Sequence, residues 1–455
     1  MSVDTQPTAQ RVHTYAPTAS PRTGPVARII AGSIAAGLGV AATLTLVVFA
    51  GSGESVITGS ILLAFSFGWA LIAVLTVHHT NRPQRWAAVP AAAMRVCGIA
   101  LLEYAPGYDA MTWFSWVWPP IVLPLAGWMF LRMRRSTRGV GRWMLTPVIA
   151  VLALAAVGAT YEHIALVRDQ HRYAAPGKTY DVGGHRLHLD CRGHGGPTVV
   201  LSNGMGEISA SWARISGPVA GGTRVCAYDR AGQGWSEGVD HPQDGKAAAT
   251  DLHRLLAAAG ETGPFVLVGH STGGTYAMTF AARYPEQVAG MVLLDSSSPY
   301  QLSRIPAYPG QYAVMRRGLA LLPTLARLGL SRMAPAPDLP APAADQVDAL
   351  TSTARAARNT RDELSVVPEV FAQAQALTTL HRRPLAVLTA SESLQGEGWG
   401  AAQDQMAALS PNVVHRTVRS THAGLLNDRG PATEAVHAIT EVIDSVRTGT
   451  PLDPS

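Results

Sequence analysis

Charge is scarce in this sequence. Only 15% of its 455 residues are Asp, Glu, Lys or Arg, against 47% apolar. A single soluble domain rarely has that balance, and at roughly 150 residues per domain two or three units are expected. Lys/Arg runs interleaved with aromatics are missing outside the loops of the apolar first third. The net charge of +5 therefore gives no reason to expect a nucleic-acid partner. Cysteine is also sparse, at three residues. His185, His188 and His194 alternate along one stretch with no Cys or carboxylate at ligand spacing, so a solvated histidine face is expected there rather than a metal site.

The apolar excess is gathered at the N-terminal end. Residues 1–24 are rich in Thr, Pro, Ser and Gln without apolar periodicity and are expected to form a disordered tail. Val26 to Ala50 carries no charge after Arg28 and is long enough to span a bilayer. It is too long for the core of a signal peptide, and more spans follow, so a cleaved signal is not expected. Val56–Val77, Trp113–Phe130 and Met144–Leu166 are further spans, and Trp113, Trp116 and Trp118 sit at one edge of the third.

Trp86–Tyr104 is apolar but holds Arg95 near its middle, which costs a few kcal/mol on insertion scales. Charge distribution favours counting it as a span. Basic residues cluster at Arg11, Arg22 and Arg28, at Arg82 and Arg85, and from Arg132 to Arg142, while the loops 51–55 and 106–111 carry none. With five spans, all three basic clusters fall on the cytoplasmic side, and the C-terminal half lies outside the cytoplasm. Arg95 would then face another helix or an acidic partner such as Glu103 or Asp109. The expected organisation is a membrane region over 25–168, a linker over 169–178, a second domain over 179–447 and a tail over 448–455.

The second half alternates strands and helices. Short apolar strands are expected at Thr198–Leu201, Thr223–Tyr228, Pro264–Gly269, Ala289–Leu294, Leu385–Thr389 and Val413–Val418. Helical patterns at Ala247–Ala259, Thr275–Tyr284, Ala401–Leu409 and Ala432–Val446 separate the later ones. That alternation argues for a mostly parallel sheet covered on both faces. A β-hairpin, Thr179–Val182 and His185–Cys191 around Gly183-Gly184, would lie at one edge.

Gly269-His270-Ser271-Thr272-Gly273 stands between the strand ending at Val268 and an apolar helical run through Tyr276, Met278 and Phe280. Strand, tight glycine turn and helix are the setting of a nucleophile elbow, in which a strained turn exposes a serine hydroxyl above a helix N-terminus. Together with Leu201-Ser-Asn-Gly-Met-Gly, Tyr228-Asp-Arg-Ala-Gly-Gln-Gly-Trp-Ser, Val292-Leu-Leu-Asp and Ser420-Thr-His, the order of motifs resembles the α/β-hydrolase superfamily from about Lys178 to Arg447. The resemblance implies a mostly parallel eight-stranded sheet with a helical lid, preceded here by an all-α transmembrane bundle.

It also implies site residues. Ser271 is the nucleophile and His422, just after the last strand, the base, since chain order in this fold is Ser, acid, His. The superfamily usually supplies the acid after the seventh strand, but Ser393 occupies that position here. Asp295 at the end of the sixth strand, or Glu392, is then the candidate acid. The oxyanion donors would be the backbone N–H groups of Thr272 and of Met205 in the Asn203-Gly204 loop, where the superfamily has a His-Gly pair. Asp229 and Arg230 would pair with each other in a structural turn.

Residues 296–383 match no strand and are expected to form a lid, with helices over Gly310–Met333, kinked or split at Pro323, and Ala344–Leu380. Leu321, Leu322, Leu325 and Leu328 would turn an apolar face to the pocket. Cys97 falls in a span. Cys191 and Cys226 fall on strands that neighbour each other in this fold, so they could meet, and outside the cytoplasm they would oxidise.

The expected protein is a membrane-anchored serine hydrolase cleaving a carboxylic ester or related acyl bond of a small or lipid-like substrate. It needs no cofactor and no metal. Acyl transfer or cofactor-free perhydrolysis on the same triad, and a non-catalytic membrane sensor, are the alternatives.

Overall fold

The computed structural model describes residues 25–453; the disordered tail expected over 1–24 lies outside the described residues. Five helices come first: α1 (Pro25–Thr43, prolonged by a π-helical turn over Leu44–Val48), α2 (Glu54–His79), α3 (Ala88–Tyr104), α4 (Tyr108–Ser136) and α5 (Val140–Arg172). Each is long and apolar enough to cross a membrane, including the Arg85–Tyr104 segment that holds Arg95. Small residues let these helices approach closely. A Cβ on Gly59 would stand 2.9 Å from the Gly98 carbonyl oxygen, and one on Gly98 2.9 Å from that of Gly59, so α2 and α3 touch backbone to backbone. Arg95 departs from expectation. It is exposed on the outer face of α3 and forms no ion pair with Glu103 or Asp109 among the described residues. α3 packs on α2 through Gly98, and Arg95 stays exposed.

The C-terminal half is built on an eight-stranded sheet of order β1-β2-β4-β3-β5-β6-β7-β8. The strands are β1 (Lys178–Asp181), β2 (Arg186–Arg192), β3 (Val199–Ser202), β4 (Val225–Tyr228), β5 (Phe265–His270), β6 (Val288–Leu294), β7 (Leu385–Ala390) and β8 (Val413–Val418). β1 and β2 form an antiparallel hairpin at the edge, β2 pairs antiparallel with β4, and all other pairings are parallel. The central strands are buried along their whole length, as a sheet covered on both faces requires.

The helices of this half are α6 (Ala213–Ala220), α7 (Gly245–Ala258), α8 (Thr272–Arg283), α9 (Gln301–Arg304), α10 (Tyr308–Arg327), α11 (Ala343–Thr351), α12 (Ala354–Ser365), α13 (Val367–Ala374), α14 (Trp399–Ala407), α15 (Gly424–Asn427) and α16 (Arg429–Thr448). One core joins Leu267, Met291 and Val387 to Leu255 and Phe280 of α7 and α8. The other joins Val266, Val292 and Leu388 to Ile215 of α6 and Ile439 and Val442 of α16. Antiparallel register sets Cys191 opposite Cys226, and the two form a disulfide.

α9 to α13 fill the stretch between β6 and β7. Two expectations fail there. α10 is not split at Pro323, which is buried within one continuous helix from Tyr308 to Arg327. The four leucines also do not share a face toward the pocket. Leu325 is exposed, while Leu322 packs with Ala326 against Ala354, Ala357 and Tyr108. Tyr308, Tyr312, Met315 and Leu319 instead pack toward Met205, Leu364, Val367 and Phe371.

α10 also docks on the N-terminal helical bundle. Arg327 forms an ion pair with Glu54 at the start of α2, and Arg332 pairs with Glu162 and, at 2.7 Å, with Asp169 of α5. Arg317 donates to the Leu46 carbonyl at 3.1 Å, and the Thr58 and Thr324 hydroxyls meet at 2.9 Å.

Candidate active site

β5 ends at His270 and α8 begins at Thr272, leaving Ser271 alone to reverse the chain. Its φ is +55°, a region that side-chain-bearing residues enter only when surrounding packing holds them there. The two glycines of the motif make the turn possible by contact distance. A Cβ on Gly273 would stand 2.2 Å from the Ser202 carbonyl oxygen, and one on Gly269 2.5 Å from the Gly274 backbone. Ser271 N–H donates to the Leu294 carbonyl at 3.2 Å, and Ser297 N–H donates to the Ser271 carbonyl at 3.0 Å, so the turn is tied to the end of β6.

Asp295 follows β6 directly and is fully buried, with a φ of +41°. Its Oδ2 accepts from His422 Nδ1 at 2.6 Å and from the Ser393 hydroxyl at 2.5 Å. Its Oδ1 accepts from Trp399 Nε1 at 2.9 Å and from Ala390 N–H at 3.2 Å. Burial pushes this carboxyl up, but the bonds from His422, Ser393 and Trp399 outweigh it and hold it below the usual carboxylate range. The other candidate acid, Glu392, is exposed and does not reach His422. The serine at the place where the superfamily carries its acid thus donates to the acid from the neighbouring strand. Serine fits because a donor, not a second carboxylate, is what an ionised Asp295 needs there. The Ser271 hydroxyl and His422 are not hydrogen-bonded to each other among the described residues; such contacts often tighten only with substrate bound.

The loop after β3 is fixed at every peptide. The buried Asn203 side chain donates to the Tyr228 carbonyl at 2.9 Å and to Gln233 Oε1 at 3.1 Å, and accepts from Trp212 Nε1 at 2.8 Å. Arg230 Nη1 donates to the Asn203 carbonyl at 2.6 Å. Arg230 Nη2 and Gln233 Nε2 both donate to the Gly204 carbonyl at 3.2 Å. In a trans peptide the N–H points opposite to the C=O, so these bonds aim the Met205 N–H away from Arg230. A Cβ on Gly204 would lie 3.0 Å from the Ser271 Cβ, which puts the loop against the elbow. Thr272, first residue of α8, has no carbonyl one helical turn back to receive its N–H.

Two expectations about nearby residues are corrected. Arg230 does not pair with Asp229; it pairs with Glu363 of α12 at 2.9 Å and lies 4.2 Å from the centroid of the Tyr276 ring. Asp229 pairs instead with His188 at 2.8 Å and takes N–H groups of Ser209 at 2.6 Å and Trp235 at 3.2 Å. His188 is therefore not on a solvated face: it is fully buried. The alternation of the hairpin was legible, but nothing local revealed that Asp229, Ser209 and the Trp235 ring, all later in the chain, pack around His188. His185 pairs with Asp251, and only His194 is exposed.

Sequence reasoning also missed Glu207 and His270. His270 Nδ1 lies 2.7 Å from Glu207 Oε1, and Gly204 N–H donates to Glu207 Oε2 at 2.5 Å. Their signal was only a charged residue and a histidine inside glycine-rich motifs.

A cavity of about 540 Å³ lies between the Gly107–Ala110 loop of the bundle, Arg230, Tyr276 and α12; Ser271, Asp295 and His422 do not line it. Among the described residues, Cys191, Cys226 and Glu261 form one group with metal-ligand spacing, but the two sulfurs are bonded to each other and offer no thiolate.

The family of the alpha/beta hydrolase fold matches residues 197–328. An uncharacterized protein of Schizosaccharomyces pombe is 27% identical over 264 residues, 51% of this chain and 46% of that protein. Lipase LipV of Mycobacterium tuberculosis is 38% identical over 120 residues, 26% of this chain and 45% of the lipase. The chain thus spans less than half the length of these curated relatives. The solved structure of an alpha/beta hydrolase from Nostoc sp PCC 7120 aligns with a TM-score of 0.50 at 16% identity, over 58% of this chain and 97% of that one. With the strand order and the family match in agreement, this chain has the α/β-hydrolase fold, following an N-terminal bundle of five apolar helices.

Proposed function

We propose that this protein is a membrane-anchored serine hydrolase that cleaves a carboxylic ester through an acyl-enzyme. The observation that carries the reading is the 2.6 Å bond between His422 Nδ1 and the buried Asp295, set beside a serine at φ +55° on a helix N-terminus. The Asp295 bond requires a proton on Nδ1 and leaves Nε2 free to accept the Ser271 proton. Ser271 Oγ then bonds to the ester carbon, and the N–H groups of Met205 and Thr272 hold the oxyanion. Collapse expels the alcohol, which takes the proton from His422. Water repeats the sequence on the acyl-enzyme and releases the acid. No cofactor or metal enters these steps.

The apolar cluster of Tyr308, Tyr312, Met315 and Leu319 beside Met205 supports an apolar acyl group as substrate. The reading has the hydrolase domain outside the cytoplasm, which the five apolar helices with their basic clusters and the Cys191–Cys226 disulfide support.

The test is labelling of the full chain by a fluorophosphonate probe, followed by turnover of nitrophenyl esters of increasing chain length. Wild type should be labelled and Ser271→Ala should not. Equal labelling of both, or none of either, refutes the reading.

A further inference from the structure

His270 stands between Gly269 and Ser271 and is almost completely buried. Both of its ring nitrogens face oxygen. Nε2 lies 3.0 Å from the backbone carbonyl of His422, and Nδ1 lies 2.7 Å from Glu207 Oε1. A carbonyl can only accept, so Nε2 carries a proton. Glu207 is held as an acceptor by the Gly204 N–H on its other oxygen, at 2.5 Å, so Nδ1 carries one too. Burial alone would push the His270 ring down, but the Glu207 carboxylate and the His422 carbonyl carry it above its ordinary value. Burial likewise pushes Glu207 up, and His270 with the Gly204 N–H brings it below the carboxylate range. The charged and titratable groups around His270 are Glu207 from the loop after β3, His422 from the loop after β8 and Asp295 from the end of β6. The His270 and His422 rings lie 4.7 Å apart, centre to centre.

These contacts join three segments that are distant in sequence. The Gly204 amide belongs to the loop that presents Met205, His270 is the residue before Ser271, and the His422 carbonyl belongs to the base's own loop. The Asp295 contact fixes the His422 side chain. The His270 contact fixes its backbone. We propose that Glu207 and His270 form a charged pair that sets the oxyanion loop and the His422 loop against Ser271, making both positioning residues for the hydrolysis. The proposal rests on the serine-hydrolase reading above. A carboxylate is needed because it alone accepts from a backbone amide and an imidazolium at once. A misplacement of about 1 Å in such a site can cost about 100-fold in rate.

The experiment uses the full chain in detergent with a nitrophenyl acyl ester, comparing wild type, Glu207→Gln, Glu207→Ala and Ser271→Ala across pH. The sign follows from the raised His270 value: its positive charge is present below the ordinary imidazole value and is lost only as pH rises through the higher folded value. Wild type should therefore lose kcat on an alkaline limb. Glu207→Gln keeps an acceptor for the Gly204 N–H and a donor for Nδ1 but leaves the ring neutral. Its kcat should fall about 10-fold, with KM within twofold of wild type, and that alkaline limb should disappear. Glu207→Ala should lose about 100-fold in kcat. Should Glu207→Ala not fold, the isosteric Gln variant decides alone. A wild-type kcat in Glu207→Gln, or an unchanged alkaline limb in it, overturns the positioning proposal while leaving the hydrolase reading intact. Turnover that Ser271→Ala does not abolish overturns both.

Discussion

Ser393 stands where the resemblance led one to expect an acid, and it serves Asp295 as a hydrogen-bond donor instead. Its hydroxyl gives Asp295 Oδ2 a second donor beside His422, in a pocket where Trp399 and Ala390 hold the other oxygen. Ser393→Ala should therefore lower kcat about 5- to 10-fold, as the loss of one bond to a charged group implies, with KM unchanged in steady-state kinetics. Asp295→Asn should do far more, about 10³- to 10⁴-fold, because an amide can hold the wrong tautomer of His422. Asp295 also links stability to pH. Its folded value lies below its ordinary one, so its contribution is full at neutral pH and drains as pH falls below about 4. Chemical denaturation of wild type and Asp295→Asn between about pH 3 and 7 should show wild type losing its advantage at the acid end.

The helix α10 has two jobs on two faces. Tyr312, Met315 and Leu319 look toward Met205, while Arg327, and Arg332 just past its end, hold Glu54, Glu162 and Asp169 of the bundle. All five of these charged side chains are at least nine-tenths buried. Removing one partner of a buried pair leaves the other uncompensated, at a cost of about 3–5 kcal/mol. Arg332→Ala should therefore raise amide hydrogen exchange over residues 308–333 while leaving β5 and β6 protected. Unchanged exchange there would show that the ion pairs do not hold the segment. The β2–β4 pairing gives a second test. Cys191→Ser with Cys226→Ser opens a link across 35 residues and should cost about 2–4 kcal/mol by denaturant unfolding.

In the chain as a whole, the hydrolase domain does not hang from a free linker. Only Tyr173–Gly177 separate α5 from β1, and α10 returns to the bundle from far along the sequence. The lid, the bundle and the Ser271 site are thus mechanically joined. We propose that the basic loops face the cytoplasm, which would put the hydrolase half on the outer side of the membrane. A C-terminal reporter that is active only in the cytoplasm should stay silent in intact cells; a strong signal would reverse the orientation.

The strands, the five long apolar helices and the tight turn at Ser271 were readable along the chain because each is a short-range pattern: apolar period, uninterrupted apolar length, glycine spacing around Ser271. Pairings between distant residues were not. Asp295 and His422 are 127 positions apart, and Glu392 competed with Asp295 on sequence because it is one residue from the expected place. Arg230 was assigned to its neighbour Asp229 because adjacency is all a linear reading offers; its partner Glu363 is 133 positions away on the lid. His188 was judged solvated because the residues that bury it, Asp229, Ser209 and Trp235, belong to another part of the chain. Local chemistry sets which elements form and what the elbow can do. Which carboxylate faces which cation depends on how those elements stack, since charge pairs are chosen by distance in space and by the water excluded around them.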